Sequence, residues 1–190
     1  QHGSITRKLG DEVIRRLKNN NHAAEVIERN LSDGLKFIDA DWVGANLTSP
    51  EQRSRAQQET LSMSDHLLRE LDDADVIVIT VPLYNFSVPA TLKAWIDMVC
   101  RAGLSFRYTD NGPVGILRDR PVYLVIASGG VPLGSAADFA SGYLHHIFSF
   151  IGITDVRDVF AGGTNLDQAA SEKAALEMLD QWLPAESAAA

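Results

Sequence analysis

Tyr84, Asn85 and Phe86 sit together in a loop that follows an apolar run and precedes a helix signal. Two flat aromatic faces flank an amide that can both donate and accept hydrogen bonds, which suits a planar ring with a polar edge such as a flavin. Ala127-Ser128-Gly129-Gly130 offers a different contact. Without a Cβ at two successive residues, backbone N–H groups can come close to a ligand. Near the start of the chain, Ser4, Ile5 and Thr6 are followed by Arg7 and Lys8. Cations in the first helical turn oppose the macrodipole, by about 0.3–1 kcal/mol each, unless an anion sits there. Hydroxyls and free N–H groups would then hold that anion. An ordinary N-cap with two cations facing water accounts for the same residues. An anion site, a stacking face with an amide, and close backbone donors together describe an FMN site. No Gly-x-Gly-x-x-Gly motif is present for a second nucleotide, so FMN is expected rather than FAD.

Buried strands and amphipathic helices must position these groups. Val76 to Val81 is β-branched and nearly all apolar, as a strand of a parallel sheet buried on both faces would be. Pro82 stops it. Pro89 suits the first turn of a helix whose apolar stripe is Leu92, Trp95, Ile96 and Val99. Val122 to Ala127 reads as a second buried strand, and a third is expected near Asp155 to Phe160. Helices are expected from Ser4 to Lys18, from about Ala137 to Phe150, and from Gln168 to Trp182. Ser49, Pro50 and Gln52 look like a capping box opening a further helix that runs to about Leu71. Glu25-Val26-Ile27 is a weak strand, Ser32 to Thr48 an irregular connection, and Ser105 to Leu117 a turn-rich stretch. Alternating strands and helices imply a doubly wound, parallel five-stranded sheet with helices on both faces, in one domain over residues 1–190. Because the chain opens directly on a helix, the first strand and half of its loop are expected to precede Gln1. Ligands of such sheets bind outside the carboxyl ends of the strands, where all three loops would meet.

The formal charge of −8 argues against nucleic acid or an anionic membrane surface as a partner. A lone cysteine, Cys100, allows no internal disulfide and fits a reducing compartment. No run approaches the ~20 apolar residues of a membrane span, and no signal-peptide core opens the chain, so a soluble, cytoplasmic protein is expected. His145 and His146, adjacent on a helix, point apart and cannot clamp one metal; none is expected. Ser128 lacks the strand-turn-helix nucleophile pattern, which argues against hydrolase chemistry. Trp42, Trp95 and Trp182 read as core or interface residues.

Three motifs in order resemble the FMN-dependent NADH:azoreductases: Pro82 to Phe86, the run from Arg101 to Pro113, and Phe150 to Val156. That family is flavodoxin-like and homodimeric, and it reduces quinones and azo compounds. The resemblance covers Ser4 to about Trp182. It implies that Ser4, Ile5 and Thr6 hold the FMN phosphate. It implies that Leu83, Tyr84, Asn85 and Phe86 line the isoalloxazine, and that Ala127, Ser128, Gly129 and Gly130 meet its pyrimidine edge. Tyr108, Phe150 and Phe160 fall where the family places aromatics around the substrate. The family often has an arginine at the position of Ser128, so the choice between NADH and NADPH stays open.

The expected activity is transfer of two electrons from NAD(P)H to a quinone or azo compound, by a ping-pong mechanism in a homodimer. No side chain is assigned as a proton donor; Asn85 is the expected polar contact to the ring. A flavodoxin-type electron carrier is the alternative, and a non-catalytic flavin-binding module is another. The long aromatic and polar stretch from Gly103 to Gly115 has no use in a bare carrier.

Overall fold

The computed structural model describes residues 4–185. Three parallel strands form the main sheet, in the order β1 (Ile77–Pro82), β4 (Val122–Ser128), β5 (Val156–Gly162). Six helices pack around them or beside them: α1 (Ile5–Asn20), α2 (Ala40–Leu47), α3 (Arg55–Asp73), α4 (Ala90–Val99), α5 (Ser141–Ile151) and α6 (Gln168–Asp180). A separate antiparallel hairpin joins β2 (Phe106–Thr109) to β3 (Gly112–Gly115).

β4 is central and buried along its whole length, as its unbroken apolar sequence requires. Val122, Leu124 and Ile126 face α4 and α5 through Leu92, Ile96, Leu144 and Phe148. Tyr123, Val125 and Ala127 face α1 and α6 through Leu9, Val13, Ala175 and Leu179. The period-2 alternation of strand side chains thus feeds two apolar layers, one on each face. The predicted stripe on α4 holds, with Leu92, Ile96 and Val99 buried and Trp95 packed partly buried beside them.

Several expectations are corrected. Of the four strands expected within this chain, three form the sheet among the described residues. Glu25-Val26-Ile27 forms no strand; Ile27 is 68% exposed, and with neither ladder nor cover an isolated three-residue run cannot persist. β1 accordingly lies at an edge, and Ile77, Val78 and Ile79 are only half-buried. Residues 40–47, expected to be irregular, are α2, started by the Asp39 carboxylate accepting the Trp42 N–H at 2.8 Å. Pro50–Gln52 is a 3-10 turn with no side-chain cap, not the start of a long helix. Arg53 is extended there, its Nε donating to the carbonyls of Ala45 and Thr48 at 3.2 and 3.0 Å. The working capping box lies five residues on, where the Ser54 Oγ accepts from the Gln57 N–H and the Gln57 side chain accepts from the Ser54 N–H.

Candidate active site

The loop after β1 is closed by paired bonds: the Tyr84 N–H donates to the Ser87 carbonyl at 3.1 Å and the Ser87 N–H returns one at 3.0 Å. The two central residues, Asn85 and Phe86, have φ of 48° and 71°. Asparagine tolerates the left-handed region, but a phenylalanine there stores about 1–3 kcal/mol of strain. The Tyr84 and Phe86 rings of this turn stand outward, 62% and 53% exposed. The loop is anchored on both sides, by the Leu83 N–H on the Ala127 carbonyl at 2.8 Å and the Phe139 N–H on the Phe86 carbonyl at 3.0 Å. A groove of about 620 Å³ opens beside it, lined by Ser87, Val88, Ala90, Lys93, Phe139 and Tyr143.

The loop after β4 lies alongside, because β1 and β4 are in register at Pro82 and Ala127. Ser128 is buried, its Oγ turned back to accept from the N–H groups of Gly130 at 3.3 Å and Val131 at 2.8 Å. It shapes the turn. A Cβ added to Gly130 would meet nothing within 4 Å, so that face stands open for a ligand's approach.

α1 reaches the same edge. Its Lys8 pairs with Glu172 near the start of α6 and its Arg16 with Asp180 at the end, so the two helices run parallel. α6 begins just past the carboxyl end of β5, which places Ser4, Ile5 and Thr6 at that edge too. The Ser4 Oγ caps the Arg7 N–H and shares a 2.9 Å hydrogen bond with the Thr6 hydroxyl. Lys8 is paired, while Arg7 has no ionic partner among the described residues.

The predicted aromatics divide. Phe160 lies on β5 near its carboxyl end, its ring leaning over Gly162. Tyr108 and Phe150 sit elsewhere. Phe150 is one residue from the end of α5, ~14 Å along the helix from Ser141 and over the amino edge of the sheet. It packs on Phe106 with ring centroids 4.4 Å apart, and Phe106 meets Tyr108 edge-on at 5.5 Å. Phe106, which links them, was not singled out from the sequence. The Phe106-Arg107-Tyr108-Thr109 alternation followed by Asp110-Asn111-Gly112 is the hairpin signal that could have found it. At the hairpin's root the fully buried Arg101 pairs with Asp65, donates to Asn46 Oδ1 at 2.9 Å and stacks over Trp42.

Two titratable groups near the groove are shifted. Burial pushes the Cys100 thiol up to about 11, so it is no nucleophile at neutral pH. Burial also raises the Tyr143 hydroxyl. Among the described residues no cluster of three His, Cys, Asp or Glu could hold a metal, and no helix is long and apolar enough to cross a membrane. What the carboxyl edge gathers is a helix N-terminus with two hydroxyls, two exposed rings around an amide, and an open glycine.

The chain belongs to the flavodoxin-like fold family, whose model matches residues 1–184. Over 164 residues it is 48% identical to FMN-dependent NADH:quinone oxidoreductase 1 of Hahella chejuensis, covering 86% of this chain and 80% of that one. It is 44% identical over 178 residues to the protein of the same name from Jannaschia sp., covering 94% and 91%. Among solved structures, an FMN-dependent NADH-azoreductase from Bacillus anthracis in complex with FMN superposes with a TM-score of 0.84 at 28% identity, over 95% of this chain and 90% of the other.

Proposed function

We propose that this protein is an FMN-dependent oxidoreductase that passes two electrons from NADH or NADPH to quinones and azo compounds. The observation that carries the reading is the strained Tyr84–Ser87 turn, which presents two exposed rings and the Asn85 amide beside the open backbone of Gly130. Those residues fit FMN: a cradle that a side chain at residue 130 would fill, and helix-end N–H groups with two hydroxyls for a phosphate. When bound, FMN supplies the two-electron chemistry. Leu83 to Phe86 would orient its ring and Asn85 would satisfy a polar group on it. The backbone N–H groups of Gly129 and Gly130 would favour negative charge at the pyrimidine edge, without any ionisable acid. Ser4, Ile5 and Thr6 would hold the phosphate. The named relatives, all FMN-dependent NADH:quinone oxidoreductases, support the same assignment.

A two-fold homodimer completes the reading. Tyr108 and Phe150 lie over the amino edge and the flavin loops at the carboxyl edge, so one chain does not gather them. A second copy could bring its own hairpin over the first copy's loops, covering the exposed Tyr84, Phe86 and Tyr108 and excluding water. Donor and acceptor would then use one cavity in turn.

Absorbance of the purified protein and FMN titration of its apo form test the assignment, followed by NADH oxidation with a soluble quinone. A yellow protein with stoichiometric FMN and quinone-dependent turnover is expected. A colourless protein that takes up no FMN would overturn the reading.

A further inference from the structure

The loop between β5 and α6, residues 163–167, forms the outer wall of the Ser128–Val131 loop. The Thr164 N–H and hydroxyl both donate to the Ser128 carbonyl at 3.1 Å, and the Asn165 N–H donates to the Gly129 carbonyl at 3.3 Å. At its far end Asp167 caps α6 by accepting the Ala170 N–H at 2.9 Å. The backbone of this wall is therefore fixed at both ends. The Asn165 side chain is not part of that lattice. Its amide stands over Gly129, with Cγ 2.9 Å from where a Cβ would stand. A Cβ on Gly129 would push that amide aside. Asparagine side chains in loops ordinarily bond to nearby backbone. This one, on an exposed residue, has no hydrogen-bond partner among the described residues. A free donor and a free acceptor thus stand at the carboxyl edge, beside the open face of Gly130.

The geometry points to Asn165 as a further cofactor-binding residue, its carboxamide hydrogen-bonding the pyrimidine edge of the flavin beside the Ser128–Val131 loop. This rests on the FMN reading above. The pyrimidine edge of a flavin alternates carbonyl, N–H and carbonyl. A carboxamide, with one NH₂ donor next to one carbonyl acceptor, can pair with two adjacent members of that series. Its neutral NH₂ would also stabilise the negative charge that reduction adds there, alongside the N–H groups of Gly129 and Gly130.

The test uses the full chain, with Asn165→Ala and the near-isosteric Asn165→Asp. FMN affinity of the apo-proteins is read by quenching of flavin fluorescence, and the midpoint potential of the bound flavin by dye-coupled reduction. Asn165→Ala is expected to bind FMN roughly tenfold more weakly, the equivalent of about one hydrogen bond. Asn165→Asp should bind more weakly still and hold its flavin at a more negative potential than Asn165→Ala does, because a carboxylate repels the charge added on reduction. Affinities of both variants within about twofold of wild type would overturn the inference. So would weakened binding with both potentials unchanged, since a merely structural role moves affinity without favouring one redox state. A wild-type protein that takes up no FMN overturns the cofactor reading itself, a result obtained before any variant is made.

Discussion

At residue scale, Asn85 and Phe86 are held where the backbone disfavours them, with φ of 48° and 71°. A folded chain keeps such strain when its surroundings over-determine it, here through four hydrogen bonds: the reciprocal pair between Tyr84 and Ser87 and the ties to Ala127 and Phe139. Replacing Asn85 by Ala leaves one ring group unpaired and puts a less tolerant residue in the left-handed region. FMN affinity of Asn85→Ala should fall by about 1–3 kcal/mol in an apo-protein titration. Unchanged affinity and an unchanged rate of reduction by NADH would remove Asn85 from the site.

At the scale of elements, the β2–β3 hairpin docks on α5 through the Phe106–Phe150 ring contact and a close approach of backbone to backbone. A Cβ on Gly115 would stand 2.5 Å from the Gly152 Cα and collide with the Ile151 carbonyl carbon, so the hairpin meets the end of α5 with no room for a side chain. Gly115→Ala should destabilise the fold by at least about 2 kcal/mol in urea unfolding, as overpacking against rigid backbone does. A midpoint equal to wild type would show that the hairpin gives way freely. The strands are tied at their amino ends by Asp119, whose carboxylate accepts from the Thr154 hydroxyl and from the N–H groups of Thr154 and Asp155. The Thr154 hydroxyl first, then those amides, hold it down to about 2. A depressed folded pKa stabilises above the ordinary value of 3.8, and that stability is lost as pH falls from there towards 2. Asp119→Asn should therefore be less stable than wild type at pH 6, with the difference shrinking below pH 4. A constant difference from pH 6 to pH 2.5 would contradict this.

For the whole molecule, the separation of Tyr108 and Phe150 from the loops after β1 and β4 would tie the proposed activity to a homodimer. Light scattering should give twice the chain mass at assay concentration; a fully active monomer would refute the shared site. If nicotinamide and acceptor use one cavity in turn, as proposed, initial rates at several acceptor concentrations should give parallel lines. Converging lines would mean separate sites. Substituting Phe150 should alter acceptor preference more than flavin content, because its ring packs on Phe106 and not near the phosphate-facing helix end.

The sequence by itself determined the parallel α/β plan, because the β-branched run at 76–81 and the unbroken apolar run at 122–127 are stable only under helices on both faces. It also placed the two loops after β1 and β4 side by side, since Pro82 and the Gly129-Gly130 pair mark where strands end, and strand ends of such sheets share one edge. Local signals failed where long-range contacts decide. Asp39 could have announced α2, but that helix also packs through Trp42 against Arg101, 59 residues along the chain. Ser49 and Ser54 carry similar cap patterns, and only the hold of Arg53 on Ala45 and Thr48 puts the helix start at the second. Tertiary structure alone set Asn165 against Gly129, and set Phe150 at the opposite end of α5 from the loops after β1 and β4. Periodicity records which face of an element is buried; it carries no information about which end of the sheet a helix terminus reaches, because that follows from the direction of packing.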